Sequence, residues 1–89
     1  MQDVKQRIDG VQDWMVKYIA DILDIAPAEV DVGRSFDQYG LDSAATVAFT
    51  SDLGRWLGVT LDTRIMIEHD DIGAVARYLH DTYGSGAAA

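Results

Sequence analysis

An all-α fold is predicted for this 89-residue chain, a small antiparallel bundle of three main helices plus one short helix, with a long first loop. Two observations predict it. Apolar residues recur at helical spacing in three separate stretches, and the only proline falls with two glycines in the one long stretch that lacks that period. From Val4 the apolar positions are Val4, Ile8, Val11, Met15, Tyr18/Ile19 and Ile22/Leu23, helical spacing kept up for about five turns. Gly10 inside that run costs about 1 kcal/mol relative to alanine, so a start nearer Val11 is the alternative. Residues 25–40, with Pro27, Gly33 and Gly40, read as a long ordered loop, and Val30, Val32, Phe36 and Tyr39 are available to pin it.

Residues 43–57 restore the helical pattern and offer Val47, Phe49, Leu53 and Trp56/Leu57 for burial. Asp42 reads as the N-cap, and Gly58 as the left-handed cap that ends the helix. Val59-Thr60-Leu61 then leads to Ile65-Met66-Ile67, which is too brief for more than a turn or two of helix. Asp70-Asp71 precedes a last amphipathic helix carrying Ile72, Val75, Tyr78 and Leu79. Trp14, Met15, Tyr18 and Trp56 are expected in the core or at its edge. There is no internal repeat. Residues 1–83 are expected to form the domain, and residues 84–89 a flexible tail, linker stub or cloning remnant.

Composition narrows the function. A chain of 89 residues, 48% hydrophobic, can build one core but has nothing to spare for a substrate-enclosing cleft, which counts against a complete enzyme, and no catalytic residue is assigned. Without cysteine there is no disulfide or thiolate metal site, and a reducing cytoplasm is the expected location. No apolar run approaches the roughly 20 residues of a membrane span, and the N-terminus lacks the basic-then-apolar order of a signal peptide, so a soluble protein is expected. The net charge of -8 repels nucleic acid and anionic membranes and favours protein partners with basic patches. That charge is uneven: residues 25–42 hold Glu29, Asp31, Asp37 and Asp42 against Arg34 alone, whereas residues 43–58 hold only Asp52 and Arg55.

Ser43 stands where that acidic loop meets the near-neutral helix. The first turn of a helix has unsatisfied N–H groups and the positive end of the dipole, so a phosphate esterified to a serine there is favoured. An Asp-Ser pair alone would serve equally as a plain cap.

Tyr39-Gly40-Leu41-Asp42-Ser43 resembles the phosphopantetheine attachment phrase of the acyl carrier protein family. The resemblance runs from about Asp31 to Leu79, through Ser35-Phe36 upstream, Leu53 and Trp56-Leu57-Gly58-Val59-Thr60-Leu61 at the exit of the second long helix, and Ile72 to Tyr78-Leu79 at the close. It implies a 4'-phosphopantetheine arm, taken from coenzyme A and placed on Ser43 by a separate phosphopantetheinyl transferase, with Gly40, Leu41 and Asp42 completing the motif. The arm's thiol would carry acyl or polyketide intermediates as thioesters to an acyltransferase or acyl-adenylate ligase, a ketosynthase and other assembly-line enzymes. Ala44, Ala45 and Val47 are the candidate partner surface. Gly40-Leu41-Asp42, without a second glycine or a histidine, resembles acyl rather than peptidyl carriers. The near-neutral second helix resembles polyketide-synthase-type domains rather than freestanding fatty-acid carriers, and a monomer is expected when such a domain is excised. The Ser51-Asp52-Leu53 and Trp56-Leu57-Gly58 wording is also similar to carriers paired with fatty acyl-adenylate ligases. Two departures are Ala45, where a larger apolar residue is common, and Asp70-Asp71 in place of Pro-Thr.

Other constellations are weaker. His69-Asp70-Asp71 lacks the convergent spacing of a metal set and reads as a solvated cap, so no metal is expected. The stretch from Asp31 to Asp42 has Phe36 where a calcium loop needs glycine and lacks the terminal glutamate. His80 reads as a favourable charge at a helix C-terminus. A serine hydrolase would need a Gly-x-Ser-x-Gly elbow, but Ala45 stands two residues after Ser43 and no base accompanies it. A non-catalytic helical adaptor, which would not need Ser43, is the rival from another class.

Overall fold

Among residues 4–84, which the computed structural model describes, every regular element is helical. The first rod is broken at its glycine: α1 (Val4–Arg7) passes through a 3-10 turn at Ile8–Gly10 into α2 (Val11–Leu23). Gly10, at φ -101° and ψ 8°, lies outside the α-helical region, which accounts for a full α-helix beginning only at Val11. Asp24, left-handed at φ 57°, closes α2. The long connection holds one short 3-10 turn, Pro27–Glu29, before α3 (Ser43–Leu57); α4 (Arg64–Glu68) and α5 (Ile72–Leu79) follow, and α5 continues as a π turn at His80–Gly84. The chain is therefore an all-α bundle of three substantial helices and a short fourth. Gly84, expected to begin the tail, is buried in that π turn, and residues 85–89 lie outside the described residues.

The core is a single cluster. Met15 and Ile19 of α2, Phe49 and Leu53 of α3, and Ile72, Val75 and Leu79 of α5 are fully buried, with Ile65 and Met66 of α4 sealing one side. Each such side chain contributes about 1.5–3 kcal/mol. Val47 does not join them, contrary to the sequence expectation: it is 52% exposed, and Thr50 takes the interior position instead. At about 100° per residue, Val47 stands some 200° round the helix from Phe49, so burying one exposes the other. The Thr50 hydroxyl satisfies itself by donating to the Thr46 carbonyl at 2.8 Å.

Gly54 lets α3 end tightly. A Cβ there would stand 2.7 Å from the Val59 carbonyl oxygen, because the segment leaving the helix folds back over this position. The N–H groups of Gly58 and Val59 both reach the Gly54 carbonyl, at 2.8 and 3.0 Å.

Aromatic rings join α2 to α3. Trp14 stacks on Tyr18 and Trp56 at centroid distances of 5.1 and 5.6 Å, and Tyr18 stacks on Phe49 at 4.8 Å. The Tyr18 hydroxyl donates to Asp52 Oδ2 at 2.7 Å. Arg7 lies over the Trp56 ring and donates to the Trp56 carbonyl. His80, the C-cap of α5, faces Asp9 across 3.4 Å and so joins the two ends of the described chain.

Leu53, with no exposed surface and a place in the core cluster, should cost roughly 2–5 kcal/mol when cut to alanine. A melting temperature that barely moved would mean that this face of α3 is not interior. Burial, the Asp52 hydrogen bond and the Asp52 charge together push the Tyr18 phenol up to about 12. An unfolded tyrosine titrates near pH 10, so the tie's contribution is fully present below about pH 10 and is lost as pH rises through about 12. Denaturant midpoints across that window should fall further in the wild type than in Tyr18→Phe.

Candidate functional site

The turn before Ser43 is a hydrogen-bonded unit. Ser35 and Gln38 cap each other reciprocally: the Ser35 N–H donates to Gln38 Oε1, and the Gln38 N–H to Ser35 Oγ, both at 3.1 Å. The Tyr39 N–H then reaches the carbonyls of Ser35 and Phe36 at 3.2 Å, and the Leu41 N–H reaches that of Phe36 at 3.2 Å. The Tyr39 hydroxyl donates to the Asp31 carbonyl and accepts from the Asp31 N–H, each at 2.7 Å, which folds the acidic stretch onto the turn. Gly40 sits at φ 82°, a conformation that favours glycine, and so the chain reverses sharply there.

Two residues fasten this unit to the bundle. Phe36 is buried edge-on against Phe49, 5.6 Å between centroids, while its N–H donates to the Asp70 carbonyl at 2.8 Å. Leu41, 8% exposed, plugs the gap below the turn. Asp42 follows in extended conformation and caps α3, its Oδ1 accepting the Ala45 N–H at 2.8 Å and its carbonyl accepting the Thr46 N–H at 2.9 Å.

Ser43 is therefore the first residue of a 15-residue helix, exposed, and its hydroxyl enters no hydrogen bond among the described residues. It borders an open groove of about 550 Å³ between α3 and α4. Leu41, Met66, Val47 and Ile67 supply the apolar lining, and Asp37, Asp42 and Asp70 supply carboxylates. No histidine lines this groove, so the site offers Ser43 no neighbouring imidazole base.

Of the expected partner surface, Ala44 and Val47 are exposed, whereas Ala45 is half-buried against the core. Ile67 was not foreseen, although at 73% exposed it is the most exposed large apolar side chain among the described residues. The signal was present in Ile65-Met66-Ile67: a five-residue helix cannot bury three consecutive apolar side chains. Asp70 was read as part of a cap, yet the cap is Asp71, whose carboxylate accepts the Ala74 N–H at 2.7 Å. His69 stacks on Tyr78 at 4.7 Å.

Residues 13–79 match the family defined by the phosphopantetheine attachment site. The chain belongs to the acyl carrier protein family. The acyl carrier protein TtuC of Teredinibacter turnerae is 35% identical over 71 residues, 80% of this chain and 82% of that protein. The polyketide synthase PksN of Bacillus subtilis is 31% identical over 81 residues, 91% of this chain, yet the chain spans only 2% of that protein's length. Among solved structures, the acyl carrier protein Asl1650 of Anabaena sp. PCC 7120 superposes with a TM-score of 0.80 at 29% identity, over 85% of this chain and 86% of that one. The prosthetic group of such carriers is covalently attached 4'-phosphopantetheine. An exposed, unengaged hydroxyl at the positive end of α3, with open space beside it, fits a phosphodiester at Ser43. No helix among the described residues is long and apolar enough to cross a membrane.

Asp42→Ala leaves the Ala45 N–H without its partner and should cost about 0.5–2 kcal/mol. Thermal melts would register the loss, and unchanged stability would show that the cap bond is not made in solution.

Proposed function

We propose that Ser43 is the residue that carries the arm, placed there by a separate phosphopantetheinyl transferase that uses coenzyme A. The reading rests on the Ser43 hydroxyl itself, exposed and unengaged at the Asp42-capped start of α3 beside an open groove. Gly40 supplies the reversal that brings the serine out, Leu41 anchors the turn and Asp42 sets the helix start. When bound, the arm supplies a terminal thiol that carries an acyl or polyketide group as a thioester. This chain's own part is to hold the arm's root rigid and leave it accessible.

The partners we propose are an acyltransferase or acyl-adenylate ligase, a ketosynthase and other assembly-line enzymes, met through Ala44, Val47 and the edge of Ala45. The polyketide type is supported by the likeness to segments of polyketide synthases and by a second long helix with only Asp52 and Arg55 as charges. The absence of cysteine supports a cytoplasmic location.

Intact mass before and after incubation with coenzyme A and a broad-specificity transferase tests the assignment. One phosphopantetheine unit should add to the wild type and none to Ser43→Ala, whose stability should change by only about 0.5 kcal/mol. Modification persisting in Ser43→Ala would end it.

A further inference from the structure

Two short pieces of chain from opposite flanks meet at the C-terminal end of α3. One is α1 with the 3-10 turn, residues 4–10, and the other is the π turn, residues 80–84. Residues 13–79, which match the family, include neither. A four-residue helix has too few hydrogen bonds to hold by itself, and a π turn is a rare way to extend a helix. Each piece therefore needs packing, and each finds it on the other. Ile8 is 2% exposed, Val4 and Tyr83 pack against the core, and both α1 and the 3-10 turn lie against the π turn. Gly84 is buried so close to His80 that a Cβ there would stand 3.3 Å from its Nδ1.

Arg7 joins the first piece to α3. Its NH1 donates to the Trp56 carbonyl, one of the last-turn carbonyls that a helix leaves without a partner, and its guanidinium lies over the Trp56 ring at 6.0 Å. Positive charge there also suits the negative end of the helix dipole. Arg7 Nε, however, is buried with no hydrogen-bond partner among the described residues, which costs stability. The Asp9–His80 pair adds little, since those side chains are 83% and 49% exposed.

We propose that residues 4–10 and 80–84 form a two-part clasp on the C-terminal end of α3, in which neither part holds without the other. The clasp sets how readily α3 unravels from that end, and it does so whether or not Ser43 is loaded. Arg7 keeps its place on Trp56, despite the cost at Nε, because the π turn holds the flank that carries it.

Hydrogen exchange on the full chain tests this by comparing the amides of Gly58 and Val59, at the exit of α3, with those of Ala45 and Thr46 at its start. Ile8→Ala in one part and Gly84→Val in the other should each speed exchange at the exit about tenfold by easing local opening, and leave the start at wild-type rates. The two substitutions together should act about as strongly as either alone. Asp9→Asn should change none of the four amides. Where circular dichroism shows a variant unfolded, the milder Ile8→Val or Gly84→Ala takes its place. Unchanged exchange at the exit, effects of the two parts that multiply, or equal acceleration at both ends of α3 overturns the proposal.

Discussion

The hydrogen bond from the Phe36 N–H to the Asp70 carbonyl, with the Phe36 ring set into the core against Phe49, is what the long connection depends on. Residues 25–42 have little regular structure, and ordering each costs about 1–2 kcal/mol of backbone entropy. Such a segment stays in one place only if its own side chains and distant backbone hold it. Here Phe36 does both. The Val32 carbonyl adds a second fastening by accepting the Gly73 N–H at 3.0 Å, so the loop is tied at two points to the start of α5. Everything between, including the reversal at Gly40, inherits its position from those ties.

The start of α3 would let the proposed site accommodate an anion without a dedicated cation. The positive end of a helix favours negative charge, and Asp42 already uses part of that field through the Ala45 N–H. A phosphodiester on Ser43 would share the same pole from outside, while the groove carboxylates Asp37 and Asp70 disfavour its folding back over them. An arm rooted at Ser43, as proposed, would thereby be directed away from the body. This suits a carrier, for which reactivity belongs to the proteins it meets.

Much of the architecture was legible because its signals are local. Asp42 before α3, Gly58 after it and the period of Ile72, Val75 and Leu79 each report on a few neighbouring residues, and α3 and α5 stand where those signals put them. Gly10 announced the break between α1 and α2 for the same reason. The attachment turn was legible as a phrase but not as a structure: the mutual capping of Ser35 and Gln38 and the clamp of Tyr39 on Asp31 require side chains to choose partners that the chain does not mark. Long-range choices were beyond reach. Whether Val47 or Thr50 faces inward depends on which helix lies across from α3, and nothing near Asp52 announces that a tyrosine 34 residues earlier will occupy it.

The packing of α1 and the 3-10 turn against the π turn after α5 has a mechanical consequence. Arg7 grips Trp56, Asp9 faces His80 and Ile8 is buried, so the two flanks of the described chain are stitched together at the C-terminal pole of α3. Ser43 opens the 15-residue helix that ends at that pole, so the two lie about 21 Å apart at 1.5 Å per residue. A load applied to either flank would therefore meet those contacts before it reached the serine's end of the bundle.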